Sequence, residues 1–195
     1  MKERKTPMPE LPDKEIIELV VGERVIVNAF TQGHELQLQV GKNVEFHNDV
    51  RIICDGPLVI GDNVTLHNHV SILGPGPVFI GNNTWIAQYT MLDATGGLEI
   101  GADCCIGYNC QIWSHRARVP QVPNMKFPNM MKQTVLKDRV WLLGGLITVQ
   151  PGVTIEEDCV IFNNSVVTKS TEKGVTYAGI PAKPLPGPIQ FPEID

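Results

Sequence analysis

Residues 40–119, broken every twenty positions, read VGKNVEFHNDVRIICDGPLV, IGDNVTLHNHVSILGPGPVF, IGNNTWIAQYTMLDATGGLE and IGADCCIGYNCQIWSHRARV. Aligned in this way the rows form columns. Val40, Ile60, Ile80 and Ile100 make one, Phe46, Leu66, Ile86 and Ile106 a second six residues on, and Ile52, Ile72, Leu92 and Ile112 a third. Four residues after the first column come Val44, Val64, Thr84 and Cys104, and four after the second come Val50, Val70, Thr90 and Cys110, all small. Gly41, Gly61, Gly81 and Gly101 stand beside the first column. A spacing of six with glycine inside it excludes an amphipathic helix, whose apolar period is 3.6. It describes hexapeptides that each make one short strand and one corner. Three of them close a triangular coil, and coils stack at the strand spacing of about 4.8 Å. The corner glycines are expected where the backbone needs unusual dihedrals or approaches closely.

Working outward, LKDRVW from Leu136 and IEEDCVIFNNSVV from Ile155 keep the hexapeptide phase. The intervening LLGGLITVQPGVT is one residue too long, which predicts a bulge near Gly144 and Gly145. Residues 40–183 are therefore read as one all-β, parallel β-helix domain. Residues 14–39, with RVIVNAF and LQLQV, are expected to cap the open first coil. Residues 1–13 and 184–195 are Pro-rich and expected as a flexible tail and an extended C-terminal tail.

Composition narrows the function. A net charge of −5 argues against a nucleic-acid groove, which needs clustered Lys and Arg. The charged start MKERKTPMPELPDK has no apolar segment of the secretory type, and no apolar run is long enough to span a bilayer. Five cysteines without zinc-type spacing suit reduced thiols in a cytoplasmic protein. Cys104, Cys110 and Cys159 occupy the small inward slots and read as core fillers.

The repeat breaks at QIWSHRAR, residues 111–118. Ile112 is the last regular inward residue, and His115 holds the corner slot of Asp55, Pro75 and Thr95. An unpatterned excursion follows, at about 116–135. A loop of that length in a compact domain is often functional. His115 at its root is a candidate general base, since imidazole titrates near neutrality. Asp93, one coil earlier on the same face and next to the column of Trp113, is a candidate for binding an acceptor or steadying His115.

The rows, followed by PGVTIEEDCVIFNNSVVTKS and YAGIPAKPL, resemble the left-handed parallel β-helix (hexapeptide-repeat) acyltransferases. The likeness is best to the acetyl-CoA-dependent sugar O- and N-acetyltransferases of the maltose, galactoside, Nod-factor and capsular-polysaccharide type. It covers most of residues 40–185. The resemblance implies the left-handed coil, a homotrimer with sites between prisms, acetyl-CoA as co-substrate, and His115 as the base. It places a small-molecule or glycan acceptor near Asp93, Gln88, Tyr89 and Trp113. It places the thioester arm along Gly144 and Gly145 with Trp141 as a wall, and the rest of the coenzyme near Asn163, Thr168, Lys169 and Lys183. Three departures stand out. Ala87 replaces an Asn common in enzymes for simple sugars, Asn163 and Asn164 replace an Ala-Gly pair, and no Arg follows the PAK triplet. Two other readings stay open at this point. Hexapeptide-repeat carbonic anhydrases bind zinc through three histidines between subunits, and His47, His67 and His69 cluster here; no metal is expected, because His67 and His115 sit on different faces. A non-enzymatic β-helix scaffold is the other.

Overall fold

The computed structural model describes residues 19–117 and 129–187. The described residues contain strands and turns and no helix. Three sheets of nine, seven and six strands run along the molecule, parallel throughout save for the last strand of the first. The chain visits the first, second and third sheet in turn, so each circuit is one coil of a β-helix. Ladder partners confirm the twenty-residue period: Glu45 pairs with Thr65, Trp85 with Thr65, Ile52 with Ile72, and Leu58 with Val78.

The inward columns are the core. Phe46, Leu66, Ile86, Ile106, Leu142 and Ile161 stack inside the first sheet, all essentially without solvent exposure. Ile52, Ile72, Leu92, Ile112, Val149 and Val167 do the same inside the second, and Val40, Ile60, Ile80, Ile100, Leu136 and Ile155 inside the third. Fully burying such a side chain is worth about 1.5–3 kcal/mol, so the stack is the main source of stability. The polar members of the small slots are paired. The Thr84 hydroxyl donates to Gly101 O at 2.9 Å and that of Thr90 to Gly107 O at 3.0 Å.

The corner glycines act through close approach rather than through unusual dihedrals. A Cβ on Gly101 would lie 2.7 Å from the Asp138 nitrogen of the next coil. The left-handed backbone falls two residues later, on Asn43, Asn63, Asn83 and Asp103, with φ of 53–57°. Asn and Asp tolerate that region better than other L-residues. Their side chains also bond in a ladder, Asn43 to Asn63 at 3.0 Å, Asn63 to Asn83 at 2.9 Å and Asn83 to Asp103 at 2.9 Å.

Three irregularities interrupt the regular stack. Within the cap expected at 14–39, the described residues from 19 on form a coil of their own. Leu19 pairs with Val44, Ile26 with Arg51 and Leu38 with Leu58. The excursion leaves after Ser114 through His115–Ala117 and returns through Asn129–Met131, the two strands pairing antiparallel; residues 118–128 lie outside the described residues. The bulge at Gly144 and Gly145 is present. Gly144, Gly145 and Leu146 have φ of 88°, 67° and 63°, and ladder partners change from Cys105 with Trp141 to Gln111 with Thr148 across it. The tail expected at 1–13 and residues 188–195 of the one expected at 184–195 lie outside the described residues, while Lys183–Pro184 pairs antiparallel with the strand Thr176–Ala178.

Candidate active site

The strand Gln111–Ile112 ends the regular part of its coil in the second sheet. Trp113 continues the sheet outward, Ser114 turns in and is fully buried, and His115 begins the excursion. The return strand is tied to the same point. Lys132 N–H donates to Ser114 O at 2.8 Å, and the buried Thr134 hydroxyl donates to Trp113 O at 2.6 Å. The return end of the excursion is thus anchored at Trp113 and Ser114, beside His115.

Asp93, in the coil before, lies directly behind the histidine and is 4% exposed. Its Oδ2 sits 2.7 Å from His115 Nδ1 and also accepts the backbone N–H of Ser114 at 2.8 Å and of His115 at 2.9 Å. Its Oδ1 accepts the Thr95 hydroxyl at 2.6 Å and the Thr95 N–H at 3.2 Å. Burial alone would raise the carboxyl. The bonds from Thr95, Ser114 and His115 outweigh it and hold Asp93 below the usual carboxylate range. An ionised carboxylate only accepts, so Nδ1 carries a proton, and in the tautomer this selects, Nε2 is the nitrogen left to accept. The His115 side chain is 29% exposed, and it lines an open groove of about 310 Å³ with Trp113, Arg116, Ala117, Gln150 and Pro151. The Trp113 ring stands edge-on to the imidazole at 6.1 Å. A basic nitrogen held against a buried carboxylate at the mouth of a groove can take a proton from a hydroxyl or amine placed there.

The other expected residues fall into separate groups. Of the two roles open to Asp93, the geometry favours the steadying one, because both oxygens are engaged by the protein and turned from solvent. Thr168 and Lys169 follow Val166–Val167 and stand on the His115 side, two coils further along. Gln88 and Tyr89 lie at the opposite end of the second sheet and do not meet His115 within the chain; Tyr89 is exposed and stacks on His69 at 4.6 Å. Gly144, Gly145 and Asn163 share that opposite edge. Gly145 N–H donates to Tyr108 O at 2.9 Å, and a Cβ on Gly145 would lie 3.3 Å from Asn163 Cβ. Trp141 projects from the first sheet, half exposed. Lys183 is exposed beside the last coil, where Ala182 N–H donates to Val166 O at 2.8 Å. Thr95, Ser114, Gln150 and Pro151 were not anticipated. Gln150 was within reach, since the ladder sets it one coil beyond Trp113, but the phase shift at Gly144 obscures that register.

His47 and His67 meet edge-on at 4.4 Å, and His67 meets Trp85 at 4.7 Å. Burial, and next the charge of His47, lower the His67 pKa, so its ring is neutral near pH 7. No group of three metal-ligating side chains occurs among the described residues.

No family model matches the chain. Solved structures with the same fold include a variant of AntD, an N-acyltransferase from Bacillus cereus, in complex with dTDP and coenzyme A; it is 24% identical over 77% of this chain and 83% of that one, with a TM-score of 0.67. AntD with dTDP and 3-hydroxybutyryl-CoA is 17% identical over 86% and 78%, TM-score 0.53. The polySia-specific acetyltransferase NeuO is 22% identical over 92% and 90%, TM-score 0.52. At these identities the likeness is one of fold, and it spans most of each chain.

Proposed function

We propose that the protein is an acetyl-CoA-dependent acyltransferase that moves an acetyl group to a hydroxyl or amine of a sugar or sugar-like acceptor. The observation that carries this reading is His115, held through Nδ1 by the buried Asp93 with Nε2 left as the acceptor beside an open groove. Two further points support it: the fold is shared with AntD, an N-acyltransferase crystallised with coenzyme A or 3-hydroxybutyryl-CoA, and with the polySia-specific acetyltransferase NeuO, and the repeat ending resembles that of the hexapeptide-repeat sugar acetyltransferases.

In the proposed reaction the acceptor O–H or N–H donates to His115 Nε2 as its lone pair attacks the thioester carbonyl carbon. The carbonyl π electrons move to oxygen, where backbone N–H groups stabilise the charge. The tetrahedral intermediate collapses, the carbon–sulfur bond breaks, and the leaving thiolate takes the proton from the imidazolium. Asp93 stabilises that imidazolium without being protonated. The coenzyme arm would follow the prism edge from His115 past Gln150 to Thr168 and Lys169, about 10 Å at strand spacing. Trp141, Gly144, Gly145, Asn163 and Lys183 lie along other edges, and in a homotrimer they would face the groove of a neighbouring prism, as would Gln88 and Tyr89. Reduced cysteines and the use of acetyl-CoA fit a cytoplasmic enzyme.

The test is release of the coenzyme A thiol from acetyl-CoA in the presence of free, nucleotide-linked and amino sugars. Acceptor-dependent release is expected. Acetyl-CoA at a hundred times its dissociation constant should also add about 2.7 kcal/mol to the fold. No release with any acceptor, together with an unmoved melting curve at millimolar acetyl-CoA, would remove the assignment.

A further inference from the structure

The base is oriented by Asp93, and the orienter needs an anchor of its own. A carboxylate turns easily about its last torsion, where the energy wells are broad. On one side Oδ2 gathers three N–H groups, from Ser114, His115 and the imidazole. On the other side Oδ1 is bonded only by Thr95, weakly by its N–H at 3.2 Å and closely by its hydroxyl at 2.6 Å. The coil beneath leaves space for both the Thr95 backbone and its hydroxyl. Cys54, Gly74, Ala94 and Ser114 occupy one slot in successive coils, and only the coil beneath Thr95 has a glycine there. A Cβ on Gly74 would lie 2.9 Å from Thr95 Oγ1 and 2.5 Å from its nitrogen, and Gly74 has φ +133°. The column leaves room for Thr95 at the one level where the carboxylate must be held.

We propose that Thr95 is a positioning residue for His115: its hydroxyl, seated over Gly74, locks the Asp93 carboxylate so that Oδ2 stays on His115 Nδ1. The proposal rests on the acyltransferase reading for its consequence in catalysis, but the positioning itself can be observed without substrate. A Thr that merely shapes the corner would affect the melting curve and nothing else.

The test compares Thr95→Val, which keeps the shape and loses the hydroxyl, with Thr95→Ser, which keeps the hydroxyl. Thr95→Ala stands in if the valine variant does not fold. Three quantities are measured on the full chain: the melting temperature, the proton resonance of His115 Nδ1–H (assigned by its absence in His115→Gln), and kcat and KM for acetyl-CoA. Thr95→Val or Thr95→Ala should shift the resonance upfield and lower kcat about tenfold, the worth of one hydrogen bond to a charged group, with KM unchanged. Thr95→Ser should restore both. An unmoved resonance and kcat in the hydroxyl-free variants would overturn the proposal, as would a serine variant that folds but is no better than valine. If the resonance responds but the wild-type protein transfers no acyl group, the positioning stands and the acyltransferase reading falls. If the wild type is active and the resonance ignores Thr95, the positioning falls and the activity stands.

Discussion

Asp93→Asn tests the orienting pair most fully, because the carboxylate accepts four N–H bonds and the Thr95 hydroxyl, with the Ser114 hydroxyl also within reach of Oδ2, and an amide cannot accept them all. Three N–H groups converge on Oδ2 and an N–H and a hydroxyl on Oδ1. An Asn would turn its oxygen toward Ser114 and His115 and its NH₂ toward Thr95. The Thr95 hydroxyl can rotate to accept, but the Thr95 N–H is left without a partner. One such donor costs about 1–3 kcal/mol, which chemical denaturation would read. In turnover, the imidazolium that forms in the transition state loses a charge-assisted bond worth about 1.5–3 kcal/mol, a fall in kcat of about 10- to 150-fold. The pH dependence has a definite sign. The folded pKa of Asp93 lies below its ordinary value, so the carboxylate adds stability above the unfolded pKa, near 3.9, and loses it as pH falls through the lower folded value. The stability gap between wild type and Asp93→Asn should therefore be flat from pH 7 to about 5 and shrink in acid. A gap that grows in acid, or unchanged turnover, would refute the reasoning.

Two other expectations concern the body of the solenoid. Ile106→Ala removes a fully buried side chain from the middle of the column inside the first sheet and should cost about 2–5 kcal/mol in denaturant unfolding. Burial pushes the thiols of Cys54 and Cys110 up to about 12 and that of Cys104 to about 11; it also raises that of Cys105, which is only partly buried. A thiol reagent on the native protein should therefore label Cys105 first and Cys54, Cys104 and Cys110 only on unfolding, which peptide mapping would check.

The solenoid was legible because a stacked coil repeats its requirements: the slot that takes Ile52 takes Ile72, Leu92 and Ile112 for the same steric reason. The first coil was hidden by its length. Leu19 pairs with Val44 and Ile26 with Arg51, twenty-five residues on, while Leu38 returns to the ordinary interval with Leu58. The extra residues sit between Asn28 and Leu38, so no twenty-residue alignment reveals the coil as one. The nearness of Asp93 and His115 followed from the register, but the role of Asp93 did not. Whether a corner carboxylate faces solvent or turns inward depends on which donors the neighbouring loop supplies. Those donors, Thr95 and Ser114, carry no signal in an apolar repeat. The groove partners Gln150 and Pro151 were obscured for another reason: the excursion and the bulge at Gly144 lengthen the interval to thirty-six and then thirty-seven residues.

The most direct test of the account is the turnover of His115→Ala. The side chain lies outside the inward columns and is 29% exposed, and its removal leaves Asp93 with the Ser114, Thr95 and backbone His115 donors. The melting curve should hardly move. For acetyl transfer kcat should fall by about 10²–10⁴, the usual worth of a positioned general base, with KM for acetyl-CoA unchanged. Full acetyl transfer by the folded His115→Ala protein would contradict it.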